Sequence, residues 1–83
     1  MRKKVIETTE MLNKQMGDAL IELLKEKPIS KISIEELTKK ADVGRATFFR
    51  HFDSKEELLS YRLVEIYKEY KKVLDDIEEA KEL

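Results

Sequence analysis

Residues 32–52 decide the fold of this chain, and they read ISIEELTKKADVGRATFFRHF. Ser33 marks a helix start, because its hydroxyl can accept a hydrogen bond from a free amide of the first turn, and Glu36 completes a capping box. Ile32 before the cap and Leu37 at the fourth helical position form a hydrophobic staple. The pattern predicts a short helix that begins directly after Ser33 and stops near residue 41.

A tight turn and a second short helix follow. Residues 42–44 are Asp-Val-Gly, and Asp tolerates a left-handed backbone better than most residues. Val43 is the expected apolar contact between the two helices. Phe48 and Phe52 are four residues apart and face inward together on the second helix, which is predicted from about Arg45. Two short helices joined by such a turn describe a helix-turn-helix.

Longer helices are predicted on both sides of this motif. Mostly apolar residues at three- and four-residue steps indicate a first helix that runs to about Lys25 and is ended by Pro28; they are Val5, Thr9, Leu12, Met16, Ala19, Leu20, Leu23 and Leu24. Gly17 within it would let a neighbouring helix approach closely. The sequence therefore predicts an all-α helical bundle, a homeodomain-like three-helix core with a long fourth helix.

The fourth helix is expected to begin at a cap formed by Asp53 or Ser54. Its apolar residues step alternately by four and three, which is a heptad pattern; they are Leu59, Leu63, Ile66, Tyr70, Val73, Ile77 and Ala80. One interpretation of this pattern is a two-stranded coiled coil with another copy of the chain through residues 66–80.

The composition argues against several classes of protein. The 83-residue chain has no Cys and one His, so disulfides, thiolate metal sites and most catalytic pairs lack their residues. No glycine-rich phosphate loop is present, and the apolar runs are too short for a membrane span. We expect no enzyme activity, no metal, no cofactor and no membrane contact.

The charge is unevenly distributed along the chain. The net charge is −1, but residues 37–55 carry five basic and two acidic side chains. This basic stretch includes the second helix of the motif, whose outward positions are Arg45, Ala46, Thr47, Phe49, Arg50 and His51. Such a helix can enter the major groove, where Arg45 could fork onto guanine, while Lys55 could neutralise a phosphate.

The whole string from residue 32 to 59 resembles the DNA-binding domain of tetracycline-repressor-like (TetR family) transcriptional regulators. The shared features are a Thr/Ser between apolar residues, a Gly-Val-Ser-like turn, a Thr-Phe-Tyr-x-His-Phe helix and a Ser-Lys-Glu-x-Leu start of the next helix. The resemblance extends over roughly residues 5–65. Three departures stand out: Asp42 replaces the usual glycine, Gly44 the usual serine cap, and Phe49 the usual tyrosine.

The resemblance implies a cytoplasmic homodimer that binds double-stranded DNA at a palindromic operator and usually represses transcription. Arg45, Ala46, Thr47 and Arg50 would then face bases or nearby backbone, and Ser33, Phe49, His51 and Lys55 would lie at phosphate-contacting positions. Residues 1–64 would form the helix-turn-helix domain, in which the fourth helix packs on the first three through Leu58, Leu59 and Leu63. Residues 65–83 would lead toward a ligand-binding domain or serve in dimerisation, and a small-molecule effector is expected only where such a C-terminal domain exists.

A different class of function fits the fourth helix alone. Its heptad pattern is also typical of a helical interaction module that pairs with another protein and never touches DNA. DNA binding through Lys and Arg weakens steeply as salt rises, whereas apolar pairing is nearly indifferent to salt. Salt dependence would therefore separate the two hypotheses.

Overall fold

The computed structural model describes the backbone of residues 2–82 and the side chains of residues 9–80. Within this range the chain forms four α-helices, which are α1 (Arg2–Leu24), α2 (Ile34–Ala41), α3 (Arg45–His51) and α4 (Lys55–Glu82). The described part contains no strand, so the predicted all-α class is confirmed. Val5, which was assigned to the apolar face of the first helix, lies outside the described side chains.

The connection between α1 and α2 contains a short helical segment that the sequence pattern did not predict. Helix α1 ends at Leu24, before Pro28, and a short 3-10 helix spans Ile29–Lys31. Pro28 precedes this 3-10 helix with extended backbone, at φ −67° and ψ 156°. A fixed φ and a missing amide suit the position just before a helical turn, so the proline opens the 3-10 helix rather than closing α1.

The core lies where α1 packs against α2 and α4. Its buried apolar residues come from all four helices, the loop before α2 and the residue after α3: Met16, Ala19, Leu20, Leu23, Ile32, Leu37, Ala41, Phe48, Phe52 and Leu58. Burial of this set removes apolar surface from water, which is the main favourable term in folding such a small domain. The expected inward pair Phe48 and Phe52 is among them.

Helices α1 and α4 meet closely at Gly17, as the sequence suggested. A Cβ at this position would lie 2.7 Å from Cγ of Arg62, so only glycine leaves room for that side chain. Arg62 is buried, and its Nε donates to Asp18 Oδ1 at 2.8 Å. Burial by itself lowers the pKa of Arg62, but the hydrogen bond to Asp18 and the nearby carboxylates outweigh it and raise that pKa.

The predicted contact of Leu63 with the first three helices is wrong. Leu58 is fully buried, but Leu63 is 50% exposed and lies outside the core. The core-facing positions of α4 are Leu58, Tyr61 and Arg62, with Leu59 partly buried. The buried face of α4 includes an arginine, Arg62. Because a hydrophobic pattern counts only apolar residues, it did not predict which face of α4 is buried.

Candidate nucleic-acid interface

The start of α2 is held by the cap that the sequence predicted. Ser33 Oγ accepts a hydrogen bond from the backbone N–H of Glu36 at 3.0 Å. The carboxylate of Glu36 accepts from Lys27 Nζ. Lys27 is the main cause that lowers the pKa of Glu36, and the Ser33 backbone N–H contributes as well. The α2 start is therefore fixed both by its own cap and by the loop that precedes it.

The turn between α2 and α3 uses the left-handed conformation expected of Asp42. This residue has φ 57° and ψ 45°, and the N–H of Val43 donates to the Thr38 carbonyl at 3.0 Å. Val43 is half-buried against the core. From α1, the side-chain amide of Gln15 donates to the Ala41 carbonyl. These contacts set the direction in which α3 leaves the turn.

Helix α3 begins without a side-chain cap. Gly44 is the N-cap residue, with extended backbone and no side-chain hydrogen bond. The opposite end is fixed by aromatic packing, since the Phe52 and Tyr61 rings lie 5.5 Å apart in an edge-to-face arrangement. Phe48 is fully buried beneath the helix. Packing rather than capping therefore holds α3 in place.

The outward face of α3 is open to solvent. Arg45, Ala46, Phe49 and Arg50 are exposed, and Thr47 and His51 are half-buried. The Arg45 guanidinium carbon lies 5.2 Å from the centre of the Phe49 ring, a cation–π contact that the sequence did not reveal. The structure thus brings the six predicted α3 residues onto one short helix whose other side is buried.

The two predicted phosphate contacts outside α3 have partners within the fold. Lys55 Nζ donates to the Ile32 carbonyl at 2.6 Å, which connects the start of α4 to the residue before the α2 cap. An ammonium has three donors, so this bond leaves Lys55 donors for a phosphate. Ser33 is exposed while its oxygen caps α2. Sequence gave no signal for the Lys55 contact, because it joins residues 23 positions apart.

Comparison with known proteins decides the family. The profile of "Bacterial regulatory proteins, tetR family" matches residues 18–61, which include α2, α3 and their turn. The chain belongs to the TetR family. It is also 39% identical over 57 residues to YxbF, an uncharacterized HTH-type transcriptional regulator of Bacillus subtilis (strain 168). That alignment covers 69% of this chain and 14% of YxbF. No solved structure matches the chain.

Family membership supports a role in DNA-binding transcription regulation. Measured against the TetR-family pattern, the departures at Gly44 and Phe49 have visible consequences. The helix lacks a side-chain cap at Gly44, and the ring of Phe49 has no hydroxyl that could donate to a phosphate. Phe49 is instead engaged with Arg45.

Two further kinds of feature, metal-binding clusters and membrane-spanning helices, are not found in the described part of the chain. Among the described residues, no group of three or more His, Asp or Glu side chains is arranged to hold a metal ion. None of the helices in that same part combines the length and the apolarity that crossing a bilayer requires. An open groove of about 640 Å³ runs along α4 beside Phe52 and Tyr61.

Proposed function

We propose that this chain is the DNA-binding domain of a TetR-family repressor, which binds a palindromic operator in double-stranded DNA as a homodimer. The observation that carries the proposal is that α3 has one buried and one exposed side. Phe48 holds the helix from below, while Arg45, Ala46 and Arg50 are exposed above it. An α-helix with its side chains is about 10–12 Å in diameter, which fits a major groove about 12 Å wide.

The proposed site has two kinds of contact. Arg45, Ala46, Thr47 and Arg50 face base edges or nearby backbone, and Arg45 forks onto guanine. Ser33, Phe49, His51 and Lys55 lie beside phosphates, where they set the register of the domain on the duplex. The wild-type chain needs no cofactor for this contact.

The homodimer follows from the weak charge of the domain. With five basic and two acidic residues in 37–55 and a net charge of −1, one copy would neutralise few phosphates. Two copies would place their α3 helices in successive major grooves about 34–36 Å apart. The proposed repression is steric, since a dimer seated on an operator blocks polymerase in the cytoplasm.

The parts beyond this domain belong to the proposal as well. The chain spans 14% of YxbF, so control by a small-molecule effector is proposed only for a protein that carries a further C-terminal domain. Residues 1–64 are the proposed DNA-binding unit. Residues 65–83, whose described part belongs to α4, are proposed to lead toward such a domain or toward the second copy.

Selection from a random pool of duplexes tests the proposal. At low salt, the chain is expected to enrich a palindromic consensus. Arg45→Ala should lose about 1–3 kcal/mol of discrimination at one base pair of each half-site. Lys68→Ala, which removes an exposed positive charge from α4, should leave that discrimination unchanged. A pool with no enriched sequence, or equal discrimination by the Arg45 variant, would contradict the assignment.

A phosphate contact has a different signature. Lys55→Ala should weaken binding to all sequences alike and reduce the salt slope by about 1. Because Lys55 also holds the Ile32 carbonyl, the unfolding free energy of the same variant must be measured. An unchanged salt slope in a folded Lys55 variant would remove this residue from the phosphate set.

One observation favours a second candidate function, an interaction module that pairs through α4. Between residues 63 and 77, α4 exposes eight large apolar side chains, and they are Leu63, Val64, Ile66, Tyr67, Tyr70, Val73, Leu74 and Ile77. Sedimentation at rising salt separates the functions. Self-association that is indifferent to salt, without duplex binding, would support the module and contradict the repressor.

A further inference from the structure

We propose that Phe49 is a positioning residue for Arg45, which it presents to guanine in a preset orientation. The inference rests on the proposed DNA binding and deepens it, because it identifies what determines the strength of the guanine preference. It assigns to the exposed phenylalanine a role that needs no hydroxyl. The recognised partner is a duplex with guanine opposite the first turn of α3.

Three side chains form a continuous stack on α3. Phe48 is fully buried, so the protein core fixes its ring. The Phe49 ring stands edge-to-face on it, with centroids 5.0 Å apart and planes at 85°. The Arg45 guanidinium lies over the Phe49 ring at 5.2 Å. The buried Phe48 ring thereby orients the Phe49 ring, which in turn orients the exposed Arg45 guanidinium.

The exposure of the pair shows that the contact is not simply core packing. Phe49 remains 44% exposed, and Arg45 is exposed as well. Among the residues that the structure describes, the salt bridges involve other cations, and none joins Arg45 to a carboxylate. In this part of the chain, no carboxylate therefore competes with the Phe49 ring for the Arg45 guanidinium.

An arginine whose guanidinium is already oriented should distinguish guanine from adenine better than an arginine that rotates freely. An arginine that forks onto guanine O6 and N7 must give up rotamer freedom, and contact with a ring restricts that freedom before binding. The guanidinium can stack on the ring by one face while its N–H groups point outward in its plane. The stack thus favours the forked contact without using its donors.

The test compares Phe49→Leu, which removes the ring, with Phe49→Tyr, which keeps it. Each variant is titrated by fluorescence anisotropy with the selected operator and with an operator in which the guanine of each half-site is replaced by adenine. Phe49→Leu should reduce the guanine-to-adenine affinity ratio about two- to fivefold. Phe49→Tyr should keep the ratio. In an Arg45→Ala background, Phe49→Leu should change the ratio no further.

A second measurement reads the contact without DNA. In NMR spectra of the free chain, the Arg45 side-chain protons should be shifted upfield by the ring, and the shift should vanish in Phe49→Leu but not in Phe49→Tyr. Far-UV circular dichroism checks that the variants fold. A Phe49→Leu chain with an unchanged affinity ratio, or an unchanged Arg45 shift, overturns the inference alone. A wild-type chain that enriches no duplex overturns the proposed function and this inference together.

Discussion

Helix α4 is continuous, but its two parts have unlike surroundings. We define the proximal segment as residues 55–62 and the distal segment as residues 63–80. In the proximal segment Leu58 is fully buried and Arg62 is 6% exposed, whereas in the distal segment Leu63 is 50% and Val73 56% exposed. Both segments are rich in apolar residues, so composition alone does not explain the difference.

A helical hydrophobic pattern has a phase, which sets the face of the helix that is buried, as well as a period. The heptad pattern continues through positions 59, 63 and 66, but the core contacts positions 58, 59, 61 and 62, so the two coincide only at Leu59. One residue along a helix corresponds to about 100° around it. The packing of Leu58 and Arg62 against α1 therefore sets the orientation of the proximal segment. The apolar side chains of the distal segment lie outside the core.

Replacing a leucine by alanine should change the unfolding free energy very differently in the two segments. Leu58→Ala should lower the unfolding free energy by about 2–5 kcal/mol, because it leaves a cavity in the core. Leu63→Ala should change it by no more than about 0.5 kcal/mol. Urea titrations followed by far-UV circular dichroism measure both. If Leu63→Ala were as costly and its cost rose with protein concentration, a second copy would cover the distal segment.

The next effect probes the close approach of α1 to the proximal segment. Gly17→Ala should destabilise the chain by about 1–3 kcal/mol through overpacking, although alanine favours a helix by about 1 kcal/mol over glycine. The new Cβ would meet Cβ, Cγ and Cδ of Arg62 at 2.7–2.8 Å. In an Arg62→Ala background the same substitution should be neutral or stabilising. An equal cost in both backgrounds would exclude this contact as the cause.

Sequence predicted those parts of the fold that depend on neighbouring residues. The Ser33 cap, the left-handed Asp42 and the inward pair Phe48 and Phe52 involve residues at most four positions apart, and the structure confirms each of them. The exposed face of α3 followed from the same periodicity. Its contact with DNA remains a prediction.

Sequence did not predict features that depend on tertiary contacts. The bond from Lys55 to the Ile32 carbonyl and the pair of Asp18 with Arg62 join residues 23 and 44 positions apart. The phase of α4 was missed for the same reason, since Arg62 becomes a core residue only where Gly17 makes space for it. Such partners come together only when the helices are assembled.

A smaller difference is expected between the ion pairs of the two segments. Arg62 in the proximal segment is buried, and its bond to Asp18 at 2.8 Å is shielded from water on one side. In the distal segment Lys71 and Asp75 are 3.5 Å apart and both exposed. Asp18→Asn should cost about 1 kcal/mol and Asp75→Asn about 0.3 kcal/mol or less. Urea titrations in low and high salt measure the difference, and equal costs would contradict the role of burial.

The smallest effect concerns pH and the pair that braces the start of α2. The hydrogen bond from Lys27 lowers the pKa of Glu36 below its ordinary value of 4.5. Because the carboxyl is more acidic in the folded than in the unfolded chain, its contribution to stability is present above that ordinary value. The contribution is lost as the pH falls through the lower pKa of the folded state.

Glu36→Gln should therefore flatten the fall in unfolding free energy between about pH 5 and pH 3. Glu78→Gln removes the same charge from the exposed distal segment and serves as the matched control, with a pH profile like that of the wild type. Urea titrations across this pH range measure the unfolding free energy of both variants and of the wild type. If both variants flattened the profile equally, the effect would come from the net charge of the chain rather than from the contact of Glu36 with Lys27.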